Sequence, residues 1–207
     1  MVSGIIKSQN CGSIKVKVAN NHNTKLIYAS KISLKCRDGL NGDSDNMRRG
    51  SDMNAQQKGT ILTLLKIDEI NKTYQMRYWF SYEDYLNPED SFTGFADANI
   101  DGKQEYIDLI ENLLRLDAAA RVYVEVYGFE EIDGEPFIYA ETLIIMSRLP
   151  LGDIKRVFNE PDDIFPSDIG EQTDLSQPFF LIGSHGELIS GADLVREDEF
   201  VYYCWWD

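Results

Sequence analysis

The sequence predicts an α+β fold, mostly antiparallel β-sheet or a small barrel, with one principal amphipathic helix. Three observations predict this class. Most segments alternate apolar and polar residues with the period of a half-buried strand, Gly, Asn and Asp separate these segments, and residues 102–116 alone show helical spacing. The chain has 207 residues, a length that suits one large domain or two small ones.

Strand patterns dominate the first third of the chain, at residues 4–7, 13–19 and 24–35. Their polar positions carry lysines. Residues 37–58 are rich in Gly, Asn, Asp and Ser and predict a long flexible loop. We therefore expect a basic β segment at 1–58 and an acidic β-rich body at 59–207, with a single integrated domain as the alternative.

Strand patterns continue at residues 60–67 and 74–80, and polar, acidic loop sequence follows at 82–97. Residues 102–116 then place apolar side chains on one face of a helix. Asp101, followed three residues later by Gln104, predicts a capping box at the start of that helix. The apolar face consists of Tyr106, Ile107, Ile110, Leu113 and Leu114.

The last third of the chain is predicted as hairpins and acidic loops. Strands at 122–129 and 136–146 are joined through Asp133-Gly134, a strong hairpin turn signal. Residues 159–174 are an acidic loop, a turn at 183–186 closes the penultimate hairpin, and short strands lie at 178–182 and 200–206. The aromatic run from Phe200 to Trp206 is interpreted as a buried closing strand.

The order of elements over residues 59–147 resembles the closing half of an OB fold. The resemblance rests on strands, a helix, a VYVEVYGF strand, a turn and an FIYAETLIIM strand, in that order. An OB fold implies binding of oligonucleotides through a basic groove with aromatic stacking platforms. Tyr74, Tyr78, Trp79 and Phe80 would supply the aromatic side chains.

The formal net charge of −15 is divided unevenly along the chain. Residues 1–66 hold 11 Lys and Arg against 4 Asp and Glu, whereas residues 67–207 hold 9 against 31. Binding to duplex DNA is driven by Lys and Arg that displace counterions, so the acidic part is excluded as a DNA-coating surface. This exclusion does not extend to residues 1–66.

The acidic loops favour a non-enzymatic protein-binding module that engages a basic partner. Spaced carboxylates on a rigid scaffold imitate phosphates and gain association rate by electrostatic steering, as in a nucleic-acid-mimicking inhibitor or immunity protein that blocks a nuclease or defence complex. Solubility alone is the competing explanation of these acids. The predicted partner-binding residues are Glu83, Asp84, Glu130, Glu131, Asp133, Asp162 and Asp163.

The alternative function is an OB-like nucleic-acid-binding protein that uses the basic first third. The cations lie in the first third of the chain and the aromatic side chains lie in the acidic body. Single-stranded nucleic acid needs both kinds of side chain in one groove, so this function requires that the two parts of the chain come together. The residues predicted for phosphate contacts are Lys15, Lys17, Lys25, Lys31, Arg48 and Arg49.

Residues 97–108 match the spacing of a calcium loop and are similar to the loop and helix of a dockerin. The resemblance implies oxygen ligands from Asp97, Asn99, Asp101 and Asp108, with Gly102 at the sharp turn. Gln104 departs from the pattern because an apolar residue normally stands there, and the chain has no second copy of the loop. A plain turn into a capped helix is the competing interpretation, and no other cofactor is expected.

Catalytic and targeting signals are scarce. His22 and His185 are the two histidines of the chain, and the side chains of adjacent Ser184 and His185 are expected to point apart. The sequence therefore brings no nucleophile, base and orienting group together, and no enzyme is predicted. Three separated cysteines fit a reducing compartment. Without a signal peptide pattern or a long apolar run, a cytoplasmic protein with no membrane contact is expected.

Overall fold

The structure is a computed structural model, and it describes residues 53–72, 76–96, 102–159, 164–175 and 177–207. The chain divides into two compact units, Met1–Met47 and Arg48–Asp207, and all described residues belong to the second. The predicted strands at 4–7, 13–19 and 24–35 lie outside the described residues, as does the predicted loop up to residue 52.

The described residues form helices and strands in mixed order. The helices are α1 (Ala55–Asn71), α2 (Tyr82–Tyr85), α3 (Lys103–Leu116) and α4 (Leu151–Asn159), and a 3-10 turn spans Gly191–Asp193. The strands are β1 (Arg77–Ser81), β2 (Thr93–Phe95), β3 (Arg121–Ile132), β4 (Glu135–Ser147), β5 (Asp168–Glu171), β6 (Phe179–Ile182), β7 (Leu188–Ser190) and β8 (Phe200–Trp205).

These strands form one open, mostly antiparallel sheet. Its order is β5-β8-β4-β3-β1-β6-β7, and the short β2 pairs with β4. Only β1 with β6 and β2 with β4 are parallel among the described pairs. The sheet therefore confirms a mixed α and β fold dominated by antiparallel pairing.

Both faces of the sheet carry buried residues, because successive strand residues point to opposite sides. On β1, Tyr78 and Phe80 join the main core with the helices, whereas Trp79 joins a second core on the other face. On β4, Leu143 belongs to the main core and Ile144 belongs to the second core. The second core is smaller and leaves part of its face uncovered.

The predicted strand at residues 60–67 is wrong, because this segment belongs to helix α1. The side chain of Asn54 caps the helix and accepts from the backbone N–H groups of Gln56 and Gln57, while Gln57 completes a capping box. Ile61 and Leu65 are buried at helical spacing, but Ile70 is 80% exposed. Apolar residues around the whole helix hide its period in the sequence.

Helix α3 occupies the predicted position at residues 103–116. It buries Tyr106, Leu109, Ile110 and Leu113, so Leu109 replaces part of the predicted face, and Ile107 and Leu114 are only partly buried. The predicted capping box at Asp101 is wrong, since the residue at the cap position is Gly102 and its cap has no side-chain hydrogen bond.

Several elements lie in segments that the sequence predicts as loops. Helix α2 and strand β2 fall within 82–97 and β5 falls within 159–174, whereas no element is predicted for the segment that forms α4. These elements are three to nine residues long, and periodicity is weak over so few positions. The predicted turn at 183–186 is present, with Gly186 N donating to Gly183 O.

Candidate functional site

The turn end of the β3–β4 hairpin carries a cluster of exposed acidic side chains. Its turn places Asp133 at φ 53° and Gly134 at φ 85°, the left-handed conformation that a tight Asp-Gly hairpin requires. Residues 130–135 are all exposed, and four of them are carboxylates. The sequence contains no Lys or Arg between Arg121 and Arg148. We call Glu130, Glu131, Asp133 and Glu135 the acidic tip.

Two exposed apolar side chains lie beside the acidic tip. Tyr127 is 78% exposed and Ile132 is 50% exposed, both on β3. Packing contacts lie directly next to the tip, because Phe137, the cross-strand partner of Glu130, lies against Gly94 of β2, and Lys66 of α1 sits 5.7 Å from the centre of the Phe129 ring. The acidic tip thus extends from a packed base.

The arginines of the described residues are all engaged by carboxylates of the same chain. Six arginines form these pairs: Arg77 with Glu125, Arg115 with Glu111, Arg121 and Arg196 with Glu199, Arg148 with Asp198, and Arg156 with Asp153. None of these pairs uses a carboxylate of the acidic tip. The exposed charge at the tip is therefore uncompensated by a described arginine.

The structure brings only some predicted partner-binding residues together. Glu130, Glu131 and Asp133 share the acidic tip, whereas Glu83 and Asp84 lie in the first turn of α2. Asp84 accepts from Gln57 Nε2 at 2.8 Å and so ties α2 to α1. Asp162 and Asp163 lie outside the described residues. Glu135 belongs to the tip although the sequence-based set omits it.

The predicted calcium ligands are mostly outside the described residues. Asp97, Asn99 and Asp101 fall in that part, and Asp108 is exposed on α3, where it accepts from Gln104 Nε2 at 2.8 Å. Within the described ranges, no group of three His, Cys, Asp or Glu residues is arranged to hold a metal ion. The calcium loop stays a prediction.

The residues of the nucleic-acid alternative, Lys15, Lys17, Lys25, Lys31, Arg48 and Arg49, also lie outside the described residues. Lys103 by contrast is described and buried. Its Nζ donates to Asn87 O, Asp90 O and Thr93 Oγ1 at 2.6–3.1 Å. This ammonium group holds the loop between α2 and β2 and is not exposed to a phosphate.

Ser184 and Cys204 are two of the nucleophilic side chains among the described residues. The expectation that Ser184 and His185 point apart is wrong, since Ser184 Oγ lies 3.3 Å from His185 Nδ1. Both residues are exposed in the β6–β7 turn, and the carboxylate of Glu187 bonds the backbone N–H of His185 rather than its ring. Burial raises the pKa of the Cys204 thiol, which keeps it protonated.

A groove lies on the face of the sheet opposite the helices, beside the second core. It is shallow and open to solvent, has a volume of about 330 Å³ and is lined by Arg77, Glu125, Thr142, Gln172, Tyr203 and Trp205. Cross-strand pairing aligns its floor, because Trp205 is opposite Thr142, Thr142 is opposite Glu125, and Glu125 is opposite Trp79. The groove thus crosses four neighbouring strands.

Hydrogen bonds fix the groove's charged and aromatic side chains. Glu125 Oε2 accepts from Trp79 Nε1 and Arg77 Nε, each at 2.7 Å. Trp205 Nε1 donates to Glu141 Oε1 at 2.9 Å, and Tyr203 Oη donates to Asp168 Oδ2 at 2.8 Å. This bond to Asp168, together with burial, raises the pKa of Tyr203, so its hydroxyl remains a donor.

Sequence reasoning missed the groove, although a signal for it exists. Arg77 and Trp79 are two residues apart on β1, as are Tyr203 and Trp205 on β8, so each pair shares a face. The prediction that residues 200–206 are a buried closing strand accounts for Trp206, which is 5% exposed. Trp205, on the opposite face, is only partly buried.

Comparisons with protein-family models, curated proteins and solved structures found no match to this chain. Among the described residues, no helix is long and apolar enough to cross a membrane.

Proposed function

We propose that this protein is a non-enzymatic binding module whose acidic surface engages a basic partner. The partner is a nucleic-acid-handling protein, such as a nuclease, whose cationic groove accepts the acidic tip in place of phosphates. The observation that carries the proposal is the run of exposed residues 130–135, with four carboxylates on a hairpin that has no Lys or Arg between Arg121 and Arg148.

The ion pairs of the described residues support this choice. All six described arginines pair with carboxylates outside the acidic tip, so none of them neutralises the tip's charge. Tyr127 and Ile132 add exposed apolar area on the same strand, and tyrosine is one of the residue types in which binding energy at protein interfaces is concentrated. Charges at the rim then mainly set the association rate and the specificity.

A displacement assay tests the proposal with the full chain. Core histones, protamine and a basic ribonuclease are each loaded with a fluorescein-labelled oligonucleotide, and fluorescence anisotropy follows its release as the chain is added. We expect displacement from at least one basic protein, with a salt-sensitive affinity. Direct binding of the free oligonucleotide by the chain would instead favour the OB-like alternative.

Matched charge reversals locate the surface. The double variant Glu130→Lys, Glu131→Lys should weaken displacement by at least about 10-fold, equivalent to about 1.4 kcal/mol. The control Glu69→Lys, Glu105→Lys changes net charge equally at exposed positions on α1 and α3 and should change the affinity less than about 3-fold. Equal loss in both doubles, or no displacement from any basic protein, would contradict the proposal.

A further inference from the structure

The groove on the face of the sheet opposite the helices is lined by both aromatic and polar side chains. Two of its six lining side chains are aromatic, four are polar or charged, and none is aliphatic. The accessible surface of this lining is more apolar than polar, as in most small-molecule sites, so it suits a ligand that has both apolar surface and hydrogen-bonding groups. Arg77 and Glu125 pair within the groove, and its lining therefore carries no formal net charge.

Polar atoms of the lining have hydrogen-bonding capacity left for a ligand. Both donors to Glu125 use Oε2, which leaves Oε1 as an acceptor. Gln172 uses its Nε2 to donate to Asp174 O, so its Oε1 is a second acceptor. The hydroxyl of Thr142, which also lines the groove, can both donate and accept.

The polar atoms of the two aromatic side chains of the lining are engaged by carboxylates of the same chain. Tyr203 lies over Gly170, where an added Cβ would come within 2.8 Å of the ring. Its hydroxyl is fixed by Asp168, and the indole N–H of Trp205 is fixed by Glu141. Because their polar ends are engaged, both rings offer apolar surface to a ligand beside the polar groups.

We propose that this groove binds a sugar ring of a neutral saccharide. A sugar has C–H surfaces that pack on aromatic rings and hydroxyls that both donate and accept hydrogen bonds. The Glu125 carboxylate would repel an anionic ligand and the Arg77 guanidinium would repel a cationic one, so a neutral ligand is favoured. The volume of about 330 Å³ lies at the low end of the range for small-molecule sites, which suits a small ligand.

Tryptophan indole signals in a ¹⁵N-edited NMR spectrum provide the test. The chain has three tryptophans: Trp79 and Trp205 contact the groove residues, whereas Trp206 donates to Ile164 O in the opposite core. The probes are the methyl glycosides of glucose, galactose, mannose and N-acetylglucosamine at millimolar concentrations. At least one should shift the Trp79 and Trp205 signals saturably and leave Trp206 unchanged.

Conservative variants assign the shifts to the groove. Thr142→Val and Gln172→Leu each remove one hydrogen-bonding group and should lower the affinity by about 10-fold. Gln104→Leu on α3 is the matched control and should leave it unchanged, and an unmoved Trp206 signal checks that each variant is folded. Glucosamine, a cation, and glucose 6-phosphate, an anion, are tested as charged comparisons. The proposal is overturned if none of the four glycosides gives a saturable shift, or if only a charged sugar binds. An equal loss of affinity in the Gln104→Leu control would also overturn it.

Discussion

The indole Nε1 of Trp79 donates a 2.7 Å hydrogen bond to Glu125 Oε2 across the β1–β3 pair. The same oxygen accepts from Arg77, two residues before Trp79 on β1. Trp79 is fully buried and stacks on Phe179 with ring centroids 4.3 Å apart. Glu125 therefore satisfies the polar end of a core tryptophan and neutralises an arginine at the edge of that core.

Replacing Glu125 with Ala should destabilise the protein by about 1–3 kcal/mol, because it leaves the Trp79 N–H and the Arg77 guanidinium without their acceptor. The free energy of unfolding is measured by urea denaturation. Glu130→Ala at the exposed acidic tip is the control and should change it by less than about 0.5 kcal/mol. Equal effects of the two substitutions would show that the Glu125 bonds do not stabilise the sheet.

The buried ammonium of Lys103 leads to a second prediction. Lys103→Met keeps the length of the side chain but removes three donors from the carbonyls and hydroxyl of the 87–93 loop. Buried acceptors left without a partner cost free energy, and we expect a loss of about 2–4 kcal/mol. Thermal unfolding measures it. Lys155→Met, at an exposed position of α4, should be nearly neutral, and a similar loss there would contradict the argument.

Two glycines should respond to alanine with opposite signs. At Gly59 in α1 an added Cβ meets nothing within 4 Å, so Gly59→Ala should stabilise the protein by about 0.5–1 kcal/mol through helix propensity. At Gly191 an added Cβ would overlap the ring of Phe179, and Gly191→Ala should destabilise by about 1–3 kcal/mol. Urea denaturation measures both changes. Stabilisation by both substitutions would show that Phe179 has room to move.

Sequence patterns predicted the fold best where one periodicity extends over many residues. The β3–β4 hairpin alternates over two long strands around Asp133-Gly134, and its pairing agrees with that pattern apart from irregularities near Val126. Helix α1 failed because its apolar residues surround it, and only the Asn54–Gln57 capping box marks its start. Short elements such as β2 carry too few residues for a period.

The acidic tip was predictable because its four carboxylates lie within six residues of the sequence. The groove was not, because its lining residues come from positions between 77 and 205 and meet only through strand pairing. Burial of Lys103 was equally hidden, since a lysine within the acidic part of the chain is expected to be exposed. Long-range pairing, rather than local pattern, decides each of these features.

The carboxylate of Asp117 at the end of α3 makes stability depend on pH. It accepts from Ser147 Oγ and from the backbone N–H groups of Ala119 and Arg148. Burial raises the pKa of Asp117, but these hydrogen bonds together outweigh burial and lower it below its usual value. A lowered pKa in the folded state means that the charged form is favoured by folding.

The contribution of Asp117 is therefore fully present above the pKa of the unfolded chain, about 3.9, and is lost as pH falls through the lower pKa of the folded state. Asp117→Asn should be less stable than the parent at neutral pH, by about 1 kcal/mol. The two proteins should become equally stable at lower pH, once Asp117 is protonated in both states. Urea denaturation across the acid range measures the difference, with Asp133→Asn at the exposed turn as a control. A difference that persists unchanged at the lowest pH would mean that the side chain acts through packing and not through its charge.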